Sequence, residues 1–333
     1  LLATAACVAG MDPGKMNRLP DTSGMKDEVI ISRSHRNFYD HAIRSVGVKL
    51  VEVGISDRFS GAGVRDTESW EIADAVTDRT AAIAYVNNTL VRPLLSEVIE
   101  IGRTYGIPVI VDAAGQLPPV SNLRRFIAEG ADLVCFSGGK AIGGPQGTGI
   151  LCGRRDLISS AALQHLDQDV LFELWNPPSS LIHKDSLPGA PQHGIGRPCK
   201  VGKEQIVGLM VALKRFVQEG EGVRKDQWEI TVQSFYEAMR ELPHVRAAVV
   251  GGPGRPVPLV RLDLEEEVLG KTAVELVQHL ISGVPSVHLV TSHVYEGVLF
   301  FNPVCIRPGD VEVISRRMKE LVGKWGNSKK RVG

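Results

Sequence analysis

Short apolar segments alternate with amphipathic segments along the first half of the chain, and this alternation limits the fold more than any other feature. The apolar runs are rich in β-branched residues, which is typical of strands buried on both faces of a sheet. We predict strands at 28–32, 48–53, 80–87, 107–112, 131–137 and 147–152. We predict helices at 38–47, 68–78, 93–105 and 120–129. Repeated strand–helix–strand units predict an α/β large domain, in which a mainly parallel sheet is flanked by helices.

The pattern changes beyond the predicted sheet. Residues 175–200 are rich in proline and glycine, which indicates a long connection. Two helical segments follow, at 201–219 and 223–242. Strands at 245–250, 257–264, 287–292 and 298–302, with helices at 272–282 and 308–321, predict a smaller α+β unit. We therefore divide the chain into a large domain (1–200), a connecting helix (201–225) and a small C-terminal domain (226–333).

Charge and cysteine content exclude several classes of partner. The 333 residues contain 38 basic and 38 acidic side chains, so the net charge offers no attraction for nucleic acid or for an anionic membrane. No run of about 18 apolar residues is present, as a membrane-spanning helix would need. Five scattered cysteines without a CxxC pair indicate reduced thiols in a cytoplasmic protein, and neither a disulfide framework nor a metal site.

Two charged residues follow neighbouring predicted strands. Asp112 ends the strand at 107–112, and Lys140 follows the strand at 131–137. Ligands of open α/β sheets bind outside the carboxyl ends of the strands, so both residues are expected at that edge. Taken singly, each has an ordinary explanation, because a strand-end Asp commonly caps a turn and a loop Lys is commonly solvated.

Two phosphate-binding motifs are excluded around Lys140. A Walker loop requires glycine at the position of Val134 and Ser or Thr at that of Ala141, and a dinucleotide fingerprint requires glycine at that of Cys152. Pyridoxal phosphate suits the pair better. That cofactor needs a lysine for a Schiff base and a carboxylate facing its pyridinium nitrogen.

The segments VDAAGQ and FSGGKAIGGPQGTGILCG, which contain these two residues, resemble the pyridoxal phosphate enzymes of fold type I. The resemblance is strongest to the group of L-seryl-tRNA(Sec) selenium transferase and D-glucosaminate-6-phosphate ammonia-lyase. It extends to LPDTSGMKDEVIISRSHRNFYDHAIRSVG, HGIGRPCKVGKEQIVGL and FFNPVCIRPGDVEVISRRM, and so covers nearly the whole chain.

The resemblance implies roles for residues at the strand ends. Lys140 would bind the cofactor covalently, Asp112 would keep its ring nitrogen protonated, and Ser137 would donate to its phosphate. Gln116 would contact the phenolic oxygen of the cofactor, and His35 would stack on its ring face. Asn87 would contact an oxygen of the cofactor or of the substrate. Each of the three also has a purely local explanation, as a loop amide, a turn histidine and a strand-ending Asn.

The resemblance also implies substrate-binding residues and an oligomer. His193 and Arg197 lie in the proline-rich connection, and Arg307 lies in the small domain, where fold-type I enzymes bind the substrate carboxylate. Ordinary surface positions are the alternative for these residues. Sites of this family are commonly built at a dimer interface, so we expect a homodimer or a higher homo-oligomer.

Two features of the group are not recognised in the sequence. The main phosphate-binding loop usually precedes a small-residue helix that resembles residues 1–10, so we expect it upstream of Leu1, in a missing N-terminal part of the large domain. The tRNA-binding domain of the selenium transferase is also not seen. Neutral charge favours a small amino acid or amino-sugar acid as substrate over tRNA.

The residues leave the reaction open. Lys140 as base and Asp112 opposite the ring would support removal of the substrate Cα proton. Elimination, as in an ammonia-lyase or a dehydratase, is the first hypothesis, and racemisation or epimerisation and transamination need the same residues. A non-catalytic α/β scaffold is the alternative from another class.

Overall fold

A computed structural model of the chain divides into two units, Leu1–Val217 and Gln218–Gly333. It describes residues 1–55, 66–87, 92–166, 169, 171–191, 193–252 and 255–329.

A six-stranded sheet forms the centre of the first unit. Its strands lie in the order β2-β1-β3-β4-β5-β6, and the first five are parallel while β6 runs antiparallel to β5. The predicted α/β architecture with a mainly parallel sheet is therefore confirmed. The strands are β1 Glu28–Ser32, β2 Lys49–Val53, β3 Thr80–Val86, β4 Val109–Asp112, β5 Leu133–Ser137 and β6 Gly149–Gly153.

The central strands are apolar because helices cover both faces of the sheet. Val29, Ile30 and Ile31 of β1 are each at most 1% exposed, so successive side chains on opposite faces are all buried. The helices of this unit are α1 Leu2–Ala9, α2 Pro13–Arg18, α3 His41–Arg44, α4 Ser69–Asp74, α5 Leu95–Tyr105, α6 Asn122–Glu129 and α7 Arg155–Leu163. The segment α8 Lys203–Met239 begins in this unit and continues into the second, and its helix is interrupted at Gly220, where φ is 64°.

Two helix ends follow directly from glycine. Gly106 ends α5 and Gly130 ends α6, with φ of 66° and 113°. This left-handed conformation is available to glycine without strain, and it turns the chain out of the helix. The predicted ends at 105 and 129 are confirmed.

The helix predicted at 38–47 is confirmed only in part, because the helical residues end at Arg44 and the first three form a 3-10 turn. The structure contains a 3-10 turn, Phe38–Asp40, followed by the single turn of α3. Asp40 is buried there between Arg36 and Arg44. Burial alone would raise the pKa of Asp40, but hydrogen bonds and charge from the two guanidinium groups hold it below its usual range. These ion pairs stabilise a compact turn that helical periodicity does not detect.

The second unit contains a four-stranded antiparallel sheet in the order β7-β8-β10-β9. Phe301 of this sheet stacks on Phe235 of α8, with ring centroids 4.1 Å apart, inside the unit's own core. The smaller α+β unit expected from the sequence is thus present. Its elements beyond α8 are β7 Val245–Gly252, β8 Arg255–Leu264, α9 Glu266–Leu269, α10 Ala273–Ile281, β9 Val290–His293, β10 Val298–Phe301 and α11 Asp310–Lys329.

The thiols differ strongly in exposure. All five cysteines are free, and Cys199 and Cys305 are exposed. Burial raises the pKa of Cys7 to about 12 and that of Cys135 to about 11, so both remain protonated thiols.

Among the described helices, none combines the length and the apolar character that crossing a bilayer requires.

Candidate active site at the carboxyl edge of the sheet

Four neighbouring strands, β1, β3, β4 and β5, end at the same edge of the first sheet. A polar residue ends or follows each of them. We call this set the rim, and its members are His35, Asn87, Asp112, Gln116, Ser137 and Lys140. The predicted placement of Asp112 and the Lys140 segment at one edge is confirmed by the parallel pairing of β4 with β5.

Asp112 is the last residue of β4 and is half-buried. Its backbone carbonyl accepts a hydrogen bond from the N–H of Asn87 at 3.0 Å, which joins the ends of β3 and β4. Its Oδ1 accepts from the N–H of Ala114 at 2.9 Å. The second oxygen, Oδ2, makes no hydrogen bond or ion pair with any residue that the structure describes. One carboxylate oxygen thus fixes the turn, while the other is free for a ligand.

Lys140 lies in the loop that joins the antiparallel strands β5 and β6. Ser137, half-buried at the end of β5, pairs with Gly149 at the start of β6. Within the loop, the N–H of Gly138 donates to the carbonyl of Thr148 at 2.9 Å, and that of Gly143 donates to the carbonyl of Lys140 at 2.9 Å. These hydrogen bonds hold the loop backbone in place, and the Lys140 side chain is exposed.

Close packing explains why glycine precedes Lys140. A Cβ on Gly138 would lie 2.2 Å from Oγ1 of Thr148 and 2.8 Å from Cδ1 of Leu209 on α8. The Thr148 hydroxyl has little room to move, since it donates to the carbonyl of Pro145 at 2.6 Å. Glycine at position 138 therefore allows the loop to pack against Thr148 and α8.

Gln116 ties two parts of the rim together. Its side-chain Nε2 donates to the backbone carbonyl of Asn87 at 2.8 Å, and its backbone carbonyl accepts from Nδ2 of Asn122 at 2.7 Å. The sequence suggested a contact between Gln116 and a cofactor oxygen. In the structure its amide nitrogen holds the loops after β3 and β4 together. Asn122 is a buried supporting residue that the sequence analysis missed, since an Asn at a helix start is usually a cap.

His35 ends the 3-10 turn Arg33–His35 that follows β1, and it is 3% exposed. Burial lowers the pKa of its imidazole to about 4, although the charge of Asp66 acts in the opposite direction. The ring contacts Tyr85 of β3 edge-on, with centroids 4.8 Å apart. Tyr85 was also missed, because an aromatic residue inside a buried strand is ordinarily a core residue.

The three remaining predicted residues belong to other parts of the chain. His193 is exposed, with its Nε2 3.6 Å from Oδ1 of Asp169. Arg197 begins a 3-10 turn that is fixed to the end of α7, where the N–H of Gly196 donates to the carbonyl of Gln164 at 2.8 Å. Arg307 is exposed in the second unit.

The rim residues fit pyridoxal phosphate. The cofactor requires a lysine amine for a Schiff base and a carboxylate that faces its pyridinium nitrogen. Lys140 and Oδ2 of Asp112 supply these two groups. Nε2 of His35 is buried and has no hydrogen-bond partner among the described residues, which is the condition expected of a group that meets a ligand.

Comparisons with known proteins agree with this chemistry. The family model of L-seryl-tRNA selenium transferase matches residues 21–170. The chain is 32% identical to the 5'-C-glycyluridine monooxygenase-decarboxylase of Streptomyces sp, over 98% of this chain and 75% of that protein. It is 27% identical to the D-glucosaminate-6-phosphate ammonia lyase of Salmonella typhimurium, over 96% of this chain and 77% of that protein.

A solved structure shows the same fold. The structure of a D-glucosaminate-6-phosphate ammonia-lyase superposes with a TM-score of 0.73 and 26% identity, over 97% of this chain and 78% of the other. Sequence and structure thus agree with the geometry of the rim. The chain belongs to the pyridoxal phosphate enzymes of fold type I, in the group of L-seryl-tRNA selenium transferase and D-glucosaminate-6-phosphate ammonia-lyase.

Proposed function

We propose that this enzyme removes the Cα proton of a small amino acid or amino-sugar acid and then eliminates a β-substituent. The net reaction converts a 2-amino-3-hydroxy acid into a 2-keto acid and ammonia. The observation that carries the proposal is the placement of Asp112 and the Lys140 loop at the ends of adjacent strands. The similarity to an ammonia lyase named for an amino-sugar acid supports the substrate class.

When bound, pyridoxal phosphate supplies an aldehyde for amines and a ring that accepts electrons from the substrate Cα. Lys140 would hold the cofactor, be displaced by the substrate amine and then accept the Cα proton at Nζ. Asp112 would keep the ring nitrogen protonated through Oδ2, while Oδ1 keeps the turn in place. Ser137 would donate to the phosphate.

The remaining residues would bind and orient. Gln116 and Asn87, joined by their hydrogen bond, would form one wall of the cofactor site. Arg307 and Arg197 would bind anionic groups of the substrate, since a guanidinium can bind a carboxylate or phosphate through two parallel hydrogen bonds. His193, in the same loop as Arg197, would be a further substrate-binding residue.

A second outcome has its own support. One relative is named a monooxygenase-decarboxylase and is 32% identical over nearly the whole chain. Oxidative decarboxylation would consume O₂ and release CO₂, and it would not form the keto acid that elimination produces. Racemisation and transamination remain further outcomes of Cα proton removal.

The cofactor and the reaction can be tested on the purified protein. We expect a yellow protein in which borohydride reduction fixes the cofactor mass on the Lys140 peptide. With a 2-amino-3-hydroxy acid in deuterated buffer, we expect keto acid and ammonia in equal amounts. Deuterium at Cα without keto acid would mean racemisation, and O₂-dependent CO₂ release would mean oxidative decarboxylation. Keto acid formed only with an amino acceptor would mean transamination.

We also propose that the chain forms a homodimer in the cytoplasm, with the loop at 191–200 at the subunit interface. The free thiols support a reducing compartment. Light scattering is expected to give twice the mass of one chain. A single-chain mass that does not change with protein concentration would contradict the dimer.

A further inference from the structure

One of the two ring nitrogens of His35 is hydrogen-bonded within the protein. Its Nδ1 lies 3.4 Å from the backbone nitrogen of Val86, whose N–H donates to it. A backbone amide can only donate, so Nδ1 must present a lone pair. In the neutral ring the proton is therefore on Nε2.

Tyr85 limits the orientation of the same ring. The two rings meet at an interplanar angle of 89°, an edge-to-face arrangement that rotation of either ring would break. Tyr85 is itself fixed, because it is 4% exposed and its hydroxyl donates to the carbonyl of Pro93 at 3.1 Å. Burial raises the pKa of that hydroxyl to about 12, so it remains a neutral donor. Adjacent residues of β3 thus fix both the tautomer and the plane of His35.

The other nitrogen of His35 is unsatisfied. Nε2 is buried and has no partner in the described part of the chain. A buried N–H without an acceptor costs free energy in the ligand-free protein. A ligand oxygen at the carboxyl edge of the sheet, where ligands of such sheets bind, would remove that cost.

We propose that His35 donates a fixed hydrogen bond from Nε2 to an oxygen of the bound ligand, and that Tyr85 is the positioning residue for this donor. His35 is then a donor and not a proton acceptor. The inference rests on the proposed function only for the nature of the ligand, since the tautomer and the ring contact are properties of the chain itself.

The tautomer of His35 can be measured without an activity assay. Long-range ¹H–¹⁵N correlation spectra of the full chain, labelled with ¹⁵N-histidine, would report both ring nitrogens, and the His35→Gln variant would assign the signals. We expect a protonated Nε2 and an unprotonated Nδ1 from pH 8 to pH 6, because the pKa is about 4. Asp66 is the charged group that acts on the ring among the described residues, and Tyr85 stays neutral in this range. A proton on Nδ1, or a doubly protonated ring at pH 6, would overturn the inference.

Two substitutions separate donation from ring stacking. His35→Gln keeps an N–H that can reach the position of Nε2, whereas His35→Phe keeps a flat ring without a donor. We expect His35→Phe to lower kcat about 100-fold, the scale of losing one preorganised donor, and His35→Gln to stay within about tenfold of the parent. Borohydride fixation on Lys140 should persist in both. Equal losses, or better activity of His35→Phe, would contradict donation.

Tyr85 has its own matched pair. Tyr85→Phe keeps the aromatic ring against His35 and loses only the hydrogen bond to Pro93, so its His35 nitrogen signals should match those of the parent. Tyr85→Leu removes the aromatic ring and should shift those signals towards a mixture of tautomers. Unchanged signals in Tyr85→Leu would overturn the positioning role. These spectra need no bound cofactor, so their outcome is independent of whether the proposed reaction is correct.

Discussion

Replacing Lys140 with alanine is expected to abolish cofactor fixation and to lower turnover at least about 1,000-fold. The proposed reaction uses this one amine twice, for covalent attachment and for proton transfer, so no second group compensates. The side chain is exposed, and its removal should leave the free energy of unfolding nearly unchanged. Peptide mass after borohydride reduction and steady-state kinetics measure the two effects.

Lys140→Arg is the informative companion to alanine. It keeps a positive charge at the same position but offers no nucleophilic amine, so we expect the same loss as in Lys140→Ala. Lys214→Ala, an exposed lysine on α8, should retain both cofactor fixation and activity. Cofactor mass found on a different lysine of the Lys140→Ala protein would show that the attachment site is misassigned.

Asp112→Asn should lower kcat about 100- to 1,000-fold while cofactor fixation on Lys140 persists. The carbonyl oxygen of asparagine can still accept from the N–H of Ala114, so the turn after β4 should keep its shape. What is lost is the negative charge that holds the ring nitrogen protonated. Because this variant loses the charge but keeps the hydrogen bond to the turn, we expect turnover to fall and the free energy of unfolding to stay nearly unchanged.

Asp78→Asn provides the control for the Asp112 substitution. Asp78 is an exposed carboxylate just before β3, at the opposite edge of the sheet. It should leave kcat and the cofactor absorbance unchanged. If Asp112→Asn retained full activity with intact fixation, the carboxylate would have no part in the chemistry.

The strand ends were predictable from the sequence for a simple physical reason. A parallel strand buried on both faces is an apolar run, so the first polar residue after it marks the edge of the sheet. Asp112 and Ser137 both stand at such points, and the structure ends β4 and β5 at these two residues. Placing the Lys140 segment at the same edge as Asp112 required only that both strands run in the same direction.

Contacts between strands far apart in sequence were not predictable. The ring of His35 meets Tyr85 and Val86 because β1 lies between β2 and β3, and no local pattern reveals that order. The helix α7 was also missed. Its segment is rich in serine and alanine, and its burial includes a hydrogen bond from Ser160 to the carbonyl of Gly10, 150 residues away.

The order of the strands also sets the width of the site. Neighbouring strands lie about 4.8 Å apart, so the four strands from β1 to β5 span about 14 Å at their ends. A small molecule that reaches from the His35 turn to the Lys140 loop therefore lies across the strands, and each of its parts meets a different strand end. Substitutions after β1 and β3 can then reshape substrate choice while Asp112 and Lys140, on β4 and the loop after β5, keep their positions.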